Sequence, residues 1–384
     1  MDYDLGADAA ALRSRLRQLI HTHIPETFQG ACTDDPADLE LCNEFCRILA
    51  EQGLLCLAWP EEYGGGGGSA WDQTIVREEM WAHHEPRGPQ YMGVNWVGPA
   101  LMRHGTQAQR DKHLPPIAAG EVIWCQGFSE PEAGSDLASL RTRAVKDGDR
   151  WVVTGQKVWT SYALMAQWCV LATCTDPEAP SEQRITLFLV PMDRDGIEVR
   201  PIPSMLGPHH LNEVFIDGLR VGPEDVLGEV GAGWKVMRDA LAYERVGIAR
   251  YARCESLMQR LLEVLDVDAG AWESLAPALH ARWVRALVDL RVARLLAYRA
   301  VGDGAGIDPS AASTARIVTT MCDQTVAEVL VDAVGAGALD AGPDAILHGS
   351  IDDHWRYAQA ATVASGTIEV QRMLVARSVL GSSR

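Results

Sequence analysis

The chain reads as an α+β protein in which helices, a block of short strands and helices again follow one another. Three observations carry that. Apolar residues recur at helical spacing over the first third, β-branched and aromatic residues crowd short runs between Gly, Asp and Pro turns in the middle, and helical spacing returns from Gly233 onward. A chain of 384 residues exceeds the usual single domain, so two or three packed units are expected, and the helix–strand–helix order divides it into three. They are an N-terminal helical domain over 1–122, a small antiparallel β domain (barrel or sandwich) over 123–228, and a C-terminal four-helix bundle over 229–384.

In order, Leu12, Leu16, Leu19 and Ile20 share one helical face, as do Leu41, Phe45, Leu49 and Leu54-Leu55 after Asp38. Pro60 to Gly68 is a loop, because its run of five glycines would lose too much backbone entropy in a helix. Helical pattern resumes over Trp71 to Trp81, Val97 to His104 and Gln107 to Leu114, and Tyr91 to Ala100 is expected to be a helix lining a pocket. Strands are expected over Trp151 to Thr154, Gln167 to Cys174, Ile185 to Val190, Ile197 to Pro201 and Glu213 to Ile216. Long helical segments are expected over 234–265, 271–303, 309–334 and 366–379, interrupted by the Gly-rich Val334 to Leu339 stretch and a loop at Pro343.

Composition narrows the function. Hydrophobic residues at 47% and charged residues at 22% suit a globular protein with a large core. The net charge of -18 argues against nucleic acid, which needs clustered Lys and Arg. The acidic start lacks a secretory n-region and h-region, and no apolar run is long enough to span a bilayer. Nine scattered cysteines read as reduced thiols, so a cytoplasmic protein is expected. Cys42 and Cys46 sit one helical turn apart but lack the further ligands a zinc site needs, so no metal is expected.

Four stretches could carry chemistry. In Trp124 to Asp136, the extended Phe128-Ser129 before Glu-Pro can offer N–H and O–H donors to a flat heteroaromatic ring, and Ala133-Gly134-Ser135-Asp136 makes a tight turn with a free hydroxyl. An ordinary strand–turn with a Ser cap would read the same way. Gly155 to Ser161 ends in Trp159-Thr-Ser161, which is either a core Trp on a strand or an aromatic face with a nearby hydroxyl. Glu244 lies in a predicted helix among Ala240, Leu241, Gly247 and Ile248, with no Lys or Arg at salt-bridge spacing. A carboxylate on an apolar face has either a job or a distant Arg partner. The last stretch is Ala364-Ser-Gly-Thr-Ile-Glu-Val-Gln-Arg372.

Together these stretches resemble the signatures of the acyl-CoA dehydrogenase family, strongly over 120–245 and 360–381 and weakly over 265–345. The resemblance implies FAD as cofactor, with Phe128, Ser129, Gly134, Trp159, Ser161, Gly366, Thr367 and Glu369 on the flavin side. It implies Ser135, Tyr91, Tyr243 and Arg245 on the substrate side. Many members carry their catalytic Glu where this chain has Ser365, whereas a branch places it in a Glu-Arg pair on the earlier helix. Glu244-Arg245 and Ser365 show both halves of that swap, so Glu244 is the expected base and Ser365 keeps only a backbone N–H for the thioester carbonyl.

Two family features are missing. Members usually carry Arg-x-x-Phe-Gly after this helix, where Leu265 to Ser274 has neither that Arg nor Phe-Gly, and their Gly-Gly-x-Gly loop is reduced here to Val334-Gly-Ala-Gly-Ala338. Both lie on the half-site that one subunit lends to its neighbour's FAD pyrophosphate. Coupled losses of this kind look like a subunit type from actinobacterial sterol-degrading heterotetramers, with which Gly64 to Gly68 is also compatible. The expected reaction is α,β-dehydrogenation of an acyl-CoA to the enoyl-CoA, with Glu244 taking the α-proton, flavin N5 accepting hydride and an electron-transfer flavoprotein taking the electrons. The expected assembly is a homo- or hetero-oligomer, dimer or tetramer. The alternatives are a partner subunit that completes a paralogue's FAD site, and another flavin oxidation on the same fold, using oxygen or a carrier-protein thioester.

Overall fold

The computed structural model describes residues 5–267, 270–301, 308–342 and 344–381, leaving aside the side chains of 242–247 and 266–267. Contacts group the chain into two units that interleave along the sequence. One comprises Met1–Gly30, Ser69–Pro86 and Glu244–Arg384, the other Ala31–Gly68 and Arg87–Tyr243.

The second unit is built on a sheet of eight strands: β1 (Trp124–Gly127), β2 (Arg143–Asp147), β3 (Arg150–Lys157), β4 (Trp168–Cys174), β5 (Ile185–Pro191), β6 (Ile197–Ser204), β7 (Gly207–Val221) and β8 (Val226–Leu227). Their order is β6-β7-β3-β2-β4-β5-β8, with β1 beside β4. Pairing is mostly antiparallel, as expected, but β1 runs parallel to β4 and β2 meets β4 in parallel at Arg143 and Cys174. The sheet buries Cys125, Val153, Leu171, Phe188, Val190, Ile216 and Leu219 in a continuous core. Odd-numbered positions of β3 turn inward from Trp151 to Lys157, so the alternation carries a lysine into the interior.

The helices of this unit include Pro36–Glu51, which starts on the Asp35 cap, and Gln107–Ala118, opened by the Thr106–Gln109 capping box. The expected pocket helix runs from Gln90 to His104, with a π-helical turn over Gly93–Val97. Gly98 is required there, because a Cβ would lie 2.0 Å from the Trp59 ring.

The first unit is helical. The helices Gly6–His23, Ala70–Ala82, Arg250–Val267, Pro277–Val301 and Pro309–Val334 surround a core that includes Trp81, Leu257, Leu261, Trp283, Leu290, Val326 and Leu330. Polar pairs lie inside it. Glu78 accepts from Tyr251 and Tyr298, each at 3.0 Å, and pairs with Arg13. Arg250 meets Asp323 at 3.0 Å.

Three expectations here are corrected. The segment over 234–265 is two helices, Gly233–Gly247 and Arg250–Val267, because Gly247 ends the first. The segment over 271–303 breaks before Pro277, whose missing N–H suits only the first turn of a new helix. A helix over Ser350–Ala360 is present that apolar spacing does not reveal, since Ser350, Asp352 and His354 occupy its buried face.

Candidate functional site

In the sheet unit, the site residues come from two adjoining segments. Past β1, the Ser129 carbonyl accepts from the Val158 N–H at 3.0 Å, and reciprocal bonds between Glu130 and Ala133 (2.9 and 3.1 Å) close the turn over Pro131 and Glu132. Phe128 is buried, Ser129 is half-buried, and Gly134 and Ser135 face solvent. Past β3, Trp159 and Tyr162 both take left-handed φ values, +58° and +62°. Such angles are strained for bulky side chains. What holds them is β7: Thr160 N donates to Asn212 O at 3.0 Å, Asn212 Nδ2 donates to Thr160 O at 3.0 Å, and Tyr162 N donates to His210 O at 2.9 Å.

The outcome is a Trp159 side chain that remains 57% exposed on a pinned backbone. Beside it, the buried Thr160 hydroxyl has no partner among the described residues. The Ser161 hydroxyl lies 3.4 Å from His210 Nε2, and Cys32 Sγ lies 3.6 Å from His210 Nδ1. Burial pushes the imidazole down to about 4, so it is neutral near pH 7. Tyr162 packs edge-on to the His210 ring at 4.9 Å and to Tyr91 at 6.2 Å, and Tyr91 packs edge-on to Trp96 at 5.0 Å. Phe128, Ser129, Trp159, Ser161 and Tyr91 are therefore gathered in one unit.

The helical unit holds the other group. Ser365 and Gly366 take consecutive left-handed φ values of +59° and +85°, and Thr367 then caps the helix Ile368–Leu380 by accepting from Val370 N at 3.2 Å. Successive turned amides at a helix N-terminus form a concavity suited to negative charge. The loop is fastened from below. Arg316 donates to the carbonyls of Ala364 (2.7 Å) and Ala361 (3.0 Å), and Gln371 Nε2 donates to that of Ser365 at 3.2 Å. Glu369 is exposed in the first turn. Tyr243, the last residue of the sheet unit, and Glu244 and Arg245 of the helical unit fall in the helix Gly233–Gly247, and their side chains lie outside the described ones.

Sequence reasoning assigned no role to Lys157, Glu130, His210, Arg316 or Gln371. Lys157 was detectable, since period-two spacing from Trp151 puts it on the inward face of β3. His210 was not, because only the pairing of 160–162 with 210–212 brings it to Ser161.

The features present in the sheet unit suit a flat heteroaromatic cofactor: an exposed indole on a fixed backbone and a buried unpartnered hydroxyl at Thr160.

Comparison with known proteins gives the same direction. Residues 7–121 match the profile described as acyl-CoA dehydrogenase, N-terminal domain, residues 125–218 the middle domain and residues 231–380 the C-terminal domain. Acyl-CoA dehydrogenase IpdE1 of Mycobacterium tuberculosis is 34% identical over 88% of this chain and 86% of its own length. FadE34 of the same organism is 38% identical over 88% of this chain, which spans about half of that longer protein (46%). Among solved structures, the Tcur3481-Tcur3483 steroid ACAD superposes with a TM-score of 0.91 at 32% identity over 100% of both chains. The ChsE4-ChsE5 complex from Mycobacterium tuberculosis gives 0.87 at 31% identity, also over 100% of both chains.

Proposed function

Because the chain belongs to the acyl-CoA dehydrogenase family, we propose that it carries out FAD-dependent α,β-dehydrogenation of an acyl-CoA thioester, with Glu244 as the base. The observation that carries this reading is the pinned, solvent-facing Trp159 between Ser129 and Ser161, an arrangement with no use in a purely structural sheet edge. FAD, when bound, supplies the two-electron acceptor. Phe128, Ser129, Gly134, Trp159 and Ser161 would hold its ring side, and Gly366, Thr367 and Glu369 the other contacts. Glu244 removes the α-proton, as a general base. The backbone N–H of Ser365 polarises the thioester carbonyl. Ser135, Tyr91, Tyr243 and Arg245 contact the substrate.

The acyl group is bulky in this reading, in line with the full-length likeness to a steroid ACAD. Electrons leave to an electron-transfer flavoprotein, and the protein works in the cytoplasm. Among the described residues no helix is long and apolar enough to cross a membrane.

A specific observation favours a heteromeric assembly. The helix Pro277–Val301 exposes Val284, Leu287, Val288, Val292 and Leu295 along one stripe, the kind of apolar face that a partner subunit covers. The sequence also lacks the Arg-x-x-Phe-Gly segment and the full glycine loop, and the two solved relatives are two-component complexes by name. In this arrangement the chain keeps the base and a paralogous subunit completes the FAD site. The deciding measurement is the FAD-to-protein ratio and visible spectrum of the chain purified alone and with its neighbouring paralogue. Near one flavin per chain alone supports a self-sufficient enzyme. Flavin that appears only with the paralogue supports the heteromer, and none in either sample would sink the flavin reading.

A further inference from the structure

Lys157 ends β3 with a side chain that is 0% exposed. Its ammonium donates to Glu130 Oε1 at 2.7 Å and to the Phe128 carbonyl at 3.1 Å. Glu130 in turn accepts from the backbone N–H groups of Arg141 (2.6 Å) and Thr142 (2.9 Å). Burial alone would raise the Glu130 carboxyl, but the Lys157 charge and these donors hold it below its ordinary value. Burial also pulls the Lys157 ammonium below its ordinary value, opposed by the Glu130 charge; with the carboxylate held ionised 2.7 Å away, the proton stays on the amine and the pair is ionised in the sheet interior.

A buried ion pair is weak evidence for stability, since desolvating both charges offsets most of their attraction. A hydrophobic pair would prop the loop as well. What a hydrophobic pair could not do is place a cation on this particular carbonyl. The Phe128 oxygen and the Ser129 N–H belong to one peptide unit, and charge drawn toward the oxygen makes the N–H a stronger donor. The Ser129 carbonyl is already taken by Val158. The Ser129 N–H and hydroxyl, by contrast, have no hydrogen-bond partner among the described residues. A backbone donor that is left over at a half-buried position and polarised from behind is arranged for a ligand.

We propose that Lys157 is a positioning residue of the flavin site, acting through the Phe128–Ser129 peptide to make the Ser129 N–H a strong donor to the isoalloxazine ring. The reduced ring carries more negative charge than the oxidised one, so a strengthened donor favours reduction. The proposal rests on the flavin reading above and adds to it the residue that tunes the electron affinity of the site.

The sequence holds a single Phe-Ser dipeptide. Labelling phenylalanine with carbonyl carbon-13 and serine with nitrogen-15 therefore isolates the Ser129 amide signal in the flavin-free protein. The variant is the paired Lys157→Met/Glu130→Gln, which removes both charges and leaves neither orphaned. The Ser129 amide proton is expected to move upfield. In the FAD-loaded protein the preference for reduced over oxidised flavin is expected to fall about tenfold, which is about 30 mV for a two-electron couple. An unmoved amide together with a preference unchanged within about twofold overturns the role of Lys157. The amide measurement needs no flavin, so it separates that failure from failure of the flavin reading; a protein that takes up no FAD in any assembly removes the ligand and overturns the proposal on that side. If the paired variant does not fold, Lys157→Gln/Glu130→Gln decides, since it keeps a neutral donor in place of the ammonium beside the Phe128 carbonyl and again leaves no charge orphaned. Its amide moves upfield if the cation is the cause, and stays at the wild-type position if the pair only props the loop.

Discussion

The fully buried side-chain amide of Gln371 donates to the Ser365 carbonyl at 3.2 Å, tying the helix Ile368–Leu380 to the left-handed loop in front of it. With the Arg316 bonds to the Ala361 and Ala364 carbonyls, that bond holds the direction of the amides at 365–367. Gly366 fits beneath it only without a side chain: a Cβ would lie 2.6 Å from Gln371 Nε2, at a φ of +85°. Gly366→Ala is expected to destabilise the protein by about 1–3 kcal/mol, combining the left-handed strain with displacement of Gln371. The urea midpoint should fall with an unchanged m-value. An unchanged midpoint would mean that the loop relaxes freely and is not preorganised.

Trp159 makes the opposite prediction. Its φ of +58° is strained for a bulky residue, yet its side chain is 57% exposed and secures little packing. Trp159→Gly should leave the stability the same or raise it by up to about 1 kcal/mol, read as an equal or higher urea midpoint, because glycine adopts that angle without strain. FAD affinity should fall at the same time. A residue kept against the interest of stability is retained for binding. A clear loss of stability with intact flavin uptake would instead make Trp159 a structural residue.

The fold was legible wherever burial and local chemistry agreed. Proline and capping signals mark the helix Pro309–Val334, which matches its expected span, and β-branched runs mark β4 and β5. The helix Ser350–Ala360 was not legible, because its inward face carries Ser350, Asp352 and His354; Ser350 and His354 are partnered by tertiary contacts that spacing cannot show, and Asp352 by Arg356 one turn along. The site divides in the same way. Ser129 and Trp159 stand out as local motifs, whereas His210 reaches Ser161 through a strand pairing fifty residues away, and Lys157 has meaning only with its Glu130 partner.

The His210 environment sets a pH dependence. Burial pushes its imidazole to about 4, against 6.5 for an ordinary histidine. With the folded value depressed, the unfolded chain binds the extra proton first. The stabilising contribution is complete above pH 6.5 and is lost as pH falls from there toward 4. The ring is half-buried, so the loss is on the order of 2 kcal/mol once the water that reaches it is allowed for. His113, also pushed to about 4 by burial, acts in the same direction. His210→Gln should therefore flatten part of the fall in urea midpoint between pH 6.5 and 4.5 and leave the His113 share. An identical pH slope in the variant would show that His210 takes up its proton alike in the folded and the unfolded chain, so that burial does not shift it.

Glu244→Gln tests the chemistry apart from the fold. The helix Gly233–Gly247 that carries it buries Val236, Met237 and Ala240, which the substitution does not change. Neutral glutamine cannot take a proton, so turnover of an acyl-CoA should fall by at least about a hundredfold, the usual share of a general base. The visible flavin spectrum and the binding of the acyl-CoA should persist. Loss of turnover together with loss of flavin would point to a structural role. Retained turnover would move the base to another residue, and Ser365 cannot be that residue, because a hydroxyl near its ordinary pKa is far too weak to take a proton α to a thioester.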